Sequence, residues 1–243
     1  MTDFDGRSVL LTGAAGGIGA AIAQVFAASN ARLSLVDIVD TSALALELPG
    51  DHRAWHLDLA DADAISDTVS EIGEAAGIDV LINNAGLGMV GKAEGQSVED
   101  WDRTHAINLR APWLMARAAF PYLKRSGRGR IVNLASQAGI VAIPEHAAYG
   151  SSKAGLIGLT KVLALEWAKF GITTNAISPT VVETPMALVG WCGEKGKKAK
   201  ADIPVGRFAQ PTEIAAAVQY LSSDEAAIIN GENLVADGGY SIK

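Results

Sequence analysis

The 243-residue sequence predicts an α/β fold built on a parallel sheet. Short apolar runs of strand length alternate with helical patterns along the chain. The first run passes directly into a glycine-rich turn and an alanine-rich helix. Several runs end in polar residues, among them Asp37, Asn83 and Ser136, at the carboxyl ends where a parallel sheet presents its ligand site.

The first strand, Arg7-Ser8-Val9-Leu10-Leu11, leads into Thr12-Gly13-Ala14-Ala15-Gly16-Gly17-Ile18-Gly19 and then a helix. Glycines at 13, 17 and 19 permit a tight turn and let the backbone approach a pyrophosphate, which would lie on the N–H groups of that helix. Their spacing is wider than the common G-x-G-x-x-G. The second strand, Arg32 to Val36, ends at Asp37, the distance downstream at which a carboxylate accepts hydrogen bonds from an adenosine ribose. A carboxylate there repels a 2′-phosphate, and no cation stands at Ala14, Ala15 or Ile38, so the pattern favours NAD over NADP.

Residues 53–57 read as a third strand ending in Asp58-Leu59, and residues 61–72 as a helix. His52 and His56 are spaced i, i+4, but on a strand they stand ~13 Å apart and cannot share a metal ion. Residues 79–82 form a fourth strand that ends in Asn83-Asn84-Ala85-Gly86. Two helices are expected between 98 and 123, divided near Pro112, with Asn108 just before the break. Residues 130–135 are a fifth strand that delivers Ser136.

A long helix follows from Tyr149 to about residue 170, with Tyr149 and Lys153 four residues apart on one face. A free phenol ionises near pH ~10, and a neighbouring ammonium lowers that value, so the pair reads as a general acid or base being tuned. Ser136 can face Tyr149 across the crevice and hold a carbonyl oxygen. Residues 173–178 form a sixth strand stopped by Pro179. Residues 180–201 are polar and weakly periodic, with Trp191 near the middle, and suggest a substrate lid at about 185–205. Within them the lysines of residues 195–200 read as a solvated helix face. A helix over 211–222 and a last strand over 233–236 complete one domain spanning 1–243 without repeats or linkers.

With 49% hydrophobic residues the chain can bury one sizeable core. Its net charge of −7 argues against nucleic acid and anionic membrane surfaces as partners. Cys192 is the sole cysteine, so no intrachain disulfide can form. The acidic start lacks the pattern of a leader peptide, and no apolar run reaches the ~18 residues of a membrane helix, so a cytoplasmic protein is expected.

Taken together, Thr12 to Gly19, Asn83-Asn84-Ala85-Gly86, Asn108, Ser136 and Tyr149-Gly150-Ser151-Ser152-Lys153 resemble, in order and spacing, the short-chain dehydrogenase/reductase family over essentially the whole chain. The resemblance implies a Rossmann-type doubly wound sheet of seven parallel strands with helices on both faces. It also implies a nicotinamide cofactor and a homotetramer. By the same resemblance Tyr149 is the general acid/base, Lys153 lowers its pKa and holds the nicotinamide ribose, Ser136 stabilises the oxygen, and Asn108 anchors a water chain. Gly13, Gly17, Ile18, Gly19, Asp37, Asp58, Leu59, Asn84, Ala85, Gly86, Pro179, Val182 and Thr184 match cofactor positions, together with Tyr149 and Lys153.

Pro179-Thr180 departs from the family's more common Pro-Gly. The stretch from Ser178 to Met186, with Trp191, His146 and Ser136-Gln137, is similar to the branch that contains L-xylulose reductase and NAD-dependent, threitol-type sugar-alcohol dehydrogenases. In that branch Gln137, His146 and Trp191 line the substrate pocket beside Ser136 and Tyr149. The expectation is therefore an NAD-dependent enzyme that interconverts a polyol and its ketose, with no metal. A 3-oxoacyl-thioester reductase is the alternative within enzymes. A non-catalytic NAD-binding scaffold or sensor is the alternative outside them.

Overall fold

The computed structural model describes residues 4–243, so the first three residues of the start read as acidic, residues 1–5, lie outside them. Seven parallel strands form one sheet: β1 (Ser8–Thr12), β2 (Arg32–Asp37), β3 (His52–His56), β4 (Val80–Asn83), β5 (Arg130–Leu134), β6 (Thr173–Pro179) and β7 (Asn233–Ala236). Their order is β3-β2-β1-β4-β5-β6-β7. The chain steps outward from β1 to β3, then returns to place β4 on the other side of β1. That reversal opens a crevice above the carboxyl ends of β1 and β4.

Side chains alternate across each strand, so both faces are apolar. Val9, Leu11, Leu33 and Leu35 face one way and pack with Ile22 and Phe26 of α1 (Gly17–Ala27) and Ile214 and Val218 of α9 (Pro211–Ser222). Leu10, Val36, Leu81 and Ile131 face the other way, against Ile65, Val69 and Ile72 of α3 (Ala62–Ala76) and Leu114, Met115 and Leu123 of α5 (Ala111–Ser126). Each such side chain contributes about 1.5–3 kcal/mol when buried. The doubly wound three-layer architecture expected from the sequence is present.

Some elements differ from the sequence reading. A short α2 (Ser42–Glu47) lies between β2 and β3; it buries none of its residues, so it carries no periodic apolar signal. Between 98 and 126 there is no break at Pro112. Helix α4 (Val98–His105) runs through a π-turn (Ala106–Arg110) into α5, where Pro112 sits in the first turn and its missing N–H costs nothing. Pro179 does not lie just beyond β6 but is its last residue, where the absent amide is tolerated. The expected lid segment is helical, as α7 (Pro185–Gly190) and α8 (Gly193–Ala201). Helix α8 is rich in Lys and Ala, good helix formers that leave no amphipathic stripe. Its lysines are not all solvated as expected: Lys200 pairs with Glu183 at 2.8 Å and Lys195 lies 4.8 Å above the Trp191 ring.

Candidate active site

The glycine turn and the Asn83–Gly86 segment meet at the crevice. Thr12 fastens them: its hydroxyl accepts from the amides of Asn84 (3.1 Å) and Ala85 (3.2 Å). The Asn84 side-chain Nδ2 in return donates to the carbonyls of Thr12 (3.0 Å) and Gly13 (2.9 Å). The contact admits no side chain. A Cβ on Gly13 would stand 2.7 Å from the Ala85 Cα, and one on Gly19 2.0 Å from the Gly13 carbonyl oxygen. Helix α1 begins at Gly17 and Ile18 with no side chain capping its first amides and no acidic residue in its first turn.

Asp37 reaches the same turn. One carboxylate oxygen accepts from the Ala15 amide at 2.9 Å and the other from the Val39 amide at 3.0 Å. Each oxygen keeps a further lone pair for a ribose hydroxyl. Asp58 and Leu59 follow β3, two strands beyond β1, and the Asp58 carboxylate accepts from the Ala60 amide at 2.8 Å. An adenine dinucleotide fits this donor set: free helix amides for its phosphates, a glycine cradle for close approach and a carboxylate for its ribose.

A cavity of about 660 Å³ continues from the crevice over the ends of β4, β5 and β6. Its wall collects Ser136, Gln137, His146, Tyr149, Lys153 and Trp191 with Ile18, Asn84, Gly86, Pro179, Val182 and Thr184. Tyr149 and Lys153 both stand near the start of α6 (Ala147–Trp167). The turn after β5 (Gln137–Gly139) lies against that helix through two glycines: a Cβ on Gly139 would be 2.8 Å from the Lys153 carbonyl carbon, and one on Gly150 2.9 Å from the Ala138 carbonyl oxygen. This close packing holds Ser136 to Tyr149.

The electrostatics correct one expectation. Lys153 was expected to lower the phenol, yet the Tyr149 pKa is pushed up by burial, opposed by a hydrogen bond with the Ser136 hydroxyl. Lys153 is itself pushed down to about 8 by burial. Its ammonium donates to the Leu134 carbonyl at 2.6 Å and lies 5.8 Å from the centre of the Tyr149 ring. Both residues line the cavity, and the loss of water around each disfavours its charged form.

Asn108 stands behind this wall, fully buried in the π-turn. It grips Leu87 from both sides, accepting from its amide (2.8 Å) and donating to its carbonyl (2.9 Å). It also donates to Ser152 at 3.1 Å, and Ser152 donates to the Tyr149 carbonyl at 2.7 Å. Thr12, Ser152 and Leu134 were missed as supports of the site, because a buried hydroxyl or carbonyl leaves no mark in a pattern of apolar residues.

Elsewhere on the cavity wall, His146 Nδ1 donates to the Pro144 carbonyl at 2.7 Å, and its ring stands edge-on to Tyr149 at 5.9 Å. Gln137 is buried and its carbonyl oxygen has no partner. Trp191 packs edge-on to Phe208 at 6.2 Å. Thr184 lines the cavity and caps α7, accepting from the Ala187 amide at 3.2 Å. His52 is satisfied structurally, accepting from the Leu33 amide at 3.2 Å, and no metal-binding group occurs among the described residues. Among them, too, no helix is long and apolar enough to cross a membrane.

Comparison with known proteins agrees with this geometry. A family model described as enoyl-(acyl carrier protein) reductase matches residues 13–241. The chain is 48% identical to D-threitol dehydrogenase of Mycolicibacterium smegmatis, over 99% of this chain and 95% of that one. It is 43% identical to the NAD-dependent glycerol dehydrogenase of Listeria innocua, over 98% and 94%. A proposed NAD(P)-dependent gluconate 5-dehydrogenase from Beutenbergia cavernae, solved with NADP bound, superposes with a TM-score of 0.95 at 34% identity, covering 99% of each chain. With its doubly wound sheet, glycine turn and Ser136–Tyr149–Lys153 cluster, the chain belongs to the short-chain dehydrogenase/reductase family.

Proposed function

We propose that the chain is an NAD-dependent dehydrogenase that interconverts a secondary alcohol of a polyol and the corresponding ketone. The observation that carries this reading is the cavity itself, which brings Ser136, Tyr149 and Lys153 together beside the polar groups of Gln137 and His146. Its relatives act on threitol and glycerol, and Asp37 supports NAD because a carboxylate at that place disfavours a 2′-phosphate.

Hydride transfer to and from the carbinol carbon is the chemistry a nicotinamide ring supplies when bound. Tyr149 exchanges the proton of the substrate oxygen, and the Ser136 hydroxyl donates to that oxygen as negative charge develops. Burial keeps the phenol protonated at neutral pH, ready to act as acid in ketone reduction; alcohol oxidation requires its deprotonation and therefore speeds up with pH. Lys153 would hold the nicotinamide ribose, and Asn108 fixes Leu87 and the first turn of α6. Helices α7 and α8 act as the lid, with Trp191 turned to the substrate. A homotetramer would cover the exposed Trp101 and Trp113 of α4 and α5, which size-exclusion chromatography tests.

The description of the matching family model favours an acyl-thioester reductase as the second reading. A net charge of −7 suits an acidic acyl carrier poorly, and Gln137 and His146 suit hydroxyls better than an acyl chain. A panel of C4 to C6 polyols and ketoses and a 3-oxoacyl thioester, assayed by nicotinamide absorbance with NAD or NADP, decides between them. Thioester reduction with NADPH and silence on every polyol with NAD would overturn the proposal.

A further inference from the structure

We infer that Glu183, which stands outside the cavity, is a positioning residue: its carboxylate clasps the two ends of the proposed lid together and sets the turn from which Val182 and Thr184 face the cofactor. The inference rests on the reading of the cavity as a nicotinamide site. Val182 and Thr184 line the cavity and match cofactor positions by the family resemblance, whereas Glu183 between them does not line it. The Thr184 amide donates to the Val182 carbonyl at 2.7 Å, so Glu183 is the central residue of a three-residue turn. Its side chain leaves on the far side, toward α8 and α9.

There the carboxylate is shared between two elements. Oε1 accepts from Lys200 Nζ of α8 at 2.8 Å, and Oε2 accepts at 2.7 Å from Nε2 of Gln210, the residue before α9. These two bonds, that from Lys200 first, hold the carboxyl below its ordinary range, so it is ionised at neutral pH. The main chain is tied in the same direction: the Glu183 amide donates to the Ala209 carbonyl at 2.8 Å, and the Ala209 amide to the Val181 carbonyl at 3.0 Å. Glu183 precedes α7 and Lys200 lies in the last turn of α8, so their ion pair closes the base of the flap that the two helices form. The helices abut within the flap, since a Cβ on Gly196 would stand 2.0 Å from the Trp191 carbonyl oxygen. Thr184 in turn abuts the glycine turn, where a Cβ on Gly17 would stand 2.8 Å from its Cγ2. Solvent reaches the pair, with 39% of the Lys200 side chain and 26% of that of Glu183 exposed, so it adds little to the stability of the fold. Its consequence is the alignment of lid, turn and α9 around the nicotinamide end of the crevice.

The test compares Glu183→Gln, Lys200→Met, the double variant and Lys200→Arg, which keeps the cation. The readouts are Kd for NADH by fluorescence titration, the NADH release rate by stopped flow, and the melting temperature of the free protein. Glu183→Gln and Lys200→Met are each expected to weaken NADH binding about fivefold or more, chiefly through faster release, with a melting temperature within about 3 °C of wild type. The double variant is expected to bind within about twofold of the weaker single variant, because both substitutions remove one interaction. Lys200→Arg is expected to keep Kd within about twofold of wild type. An unchanged Kd in both single variants, additive losses in the double variant, a Lys200→Arg protein as weak as Lys200→Met, or a loss of affinity matched by a melting temperature lowered more than about 5 °C would each overturn the assignment. A wild type that binds neither NADH nor NADPH would defeat the nicotinamide reading instead.

Discussion

Replacing Asp37 by Asn removes the charge that faces the adenosine ribose while preserving the shape of the side chain. The Asn carbonyl oxygen can still accept from Ala15 or Val39, which share the carboxylate in the wild type, so the glycine turn keeps one of its two ties. A carboxylate and a unit of phosphate charge ~4 Å apart repel by about 1 kcal/mol in a watery setting and about 4 at an effective dielectric of 20. Asp37 is half-buried at the crevice mouth, near the watery limit. A 2′-phosphate dianion therefore meets about 2 kcal/mol of repulsion that NAD does not, worth roughly 30-fold in selectivity. Weaker ribose hydrogen bonds to a neutral acceptor remove about another 1.5 kcal/mol from NAD, for a total shift of a few hundredfold. The assay is kcat/KM for NAD divided by kcat/KM for NADP at saturating polyol, with melting curves to confirm folding. A change in that ratio smaller than about threefold would show that Asp37 does not read the ribose.

Other outcomes follow from the cavity. Tyr149→Phe is expected to lower kcat about 10³-fold with NAD binding retained, measured by steady-state kinetics and fluorescence titration. In the wild type, kcat/KM for alcohol oxidation should rise through the alkaline range while ketone reduction does not, because the raised phenol pKa favours the acid form. The Lys153 pKa, held down to about 8, means that the unfolded chain binds more protons than the folded one above that pH. Stability from this group therefore rises between about pH 8 and pH 10, and urea denaturation should show the wild type gaining up to about 3 kcal/mol on Lys153→Met across that window. Gly139→Ala sets a Cβ 2.8 Å from the Lys153 and Ala154 backbone. It should cost about 1–3 kcal/mol by thermal melting and at least about tenfold in kcat, as Ser136 is pushed off Tyr149.

What could be read from residues alone were the groups that announce themselves by type and position. Asp37 closes a strand, Ser136 follows one, and Tyr149 and Lys153 share a helix face; each lies where a parallel sheet binds ligands, and the cavity collects the last three. The net direction of the Tyr149 shift, upward through burial, was not legible, because sequence spacing gives the distance between a phenol and an ammonium but not the solvent that each has lost. The π-turn at Asn108 escaped for a related reason. Pro112 looked like a break, whereas a proline in the first turn of α5 interrupts nothing, and the extra residue of the π-turn swings Asn108 inward to grip Leu87.

The supports of the site share one property: they act through backbone. Thr12 ties the glycine turn to Asn84 and Ala85 through amides, Ser152 ties Asn108 to the Tyr149 carbonyl, and Lys153 is oriented by the Leu134 carbonyl. Gly139 and Gly150 then lock the β5 turn to α6 with contacts that a single methyl would break. Rigid placement of Ser136, Tyr149 and Lys153 is thus built below the cavity, while Gln137, His146, Thr180 and Trp191, which line it, stand in turns and at the ends of elements. Substitutions on the substrate side can change which alcohol is taken with little strain on the catalytic frame. Those at Gly139, Gly150 or Ser152 should lower turnover for every alcohol alike, and parallel kcat losses across a substrate panel distinguish the two classes.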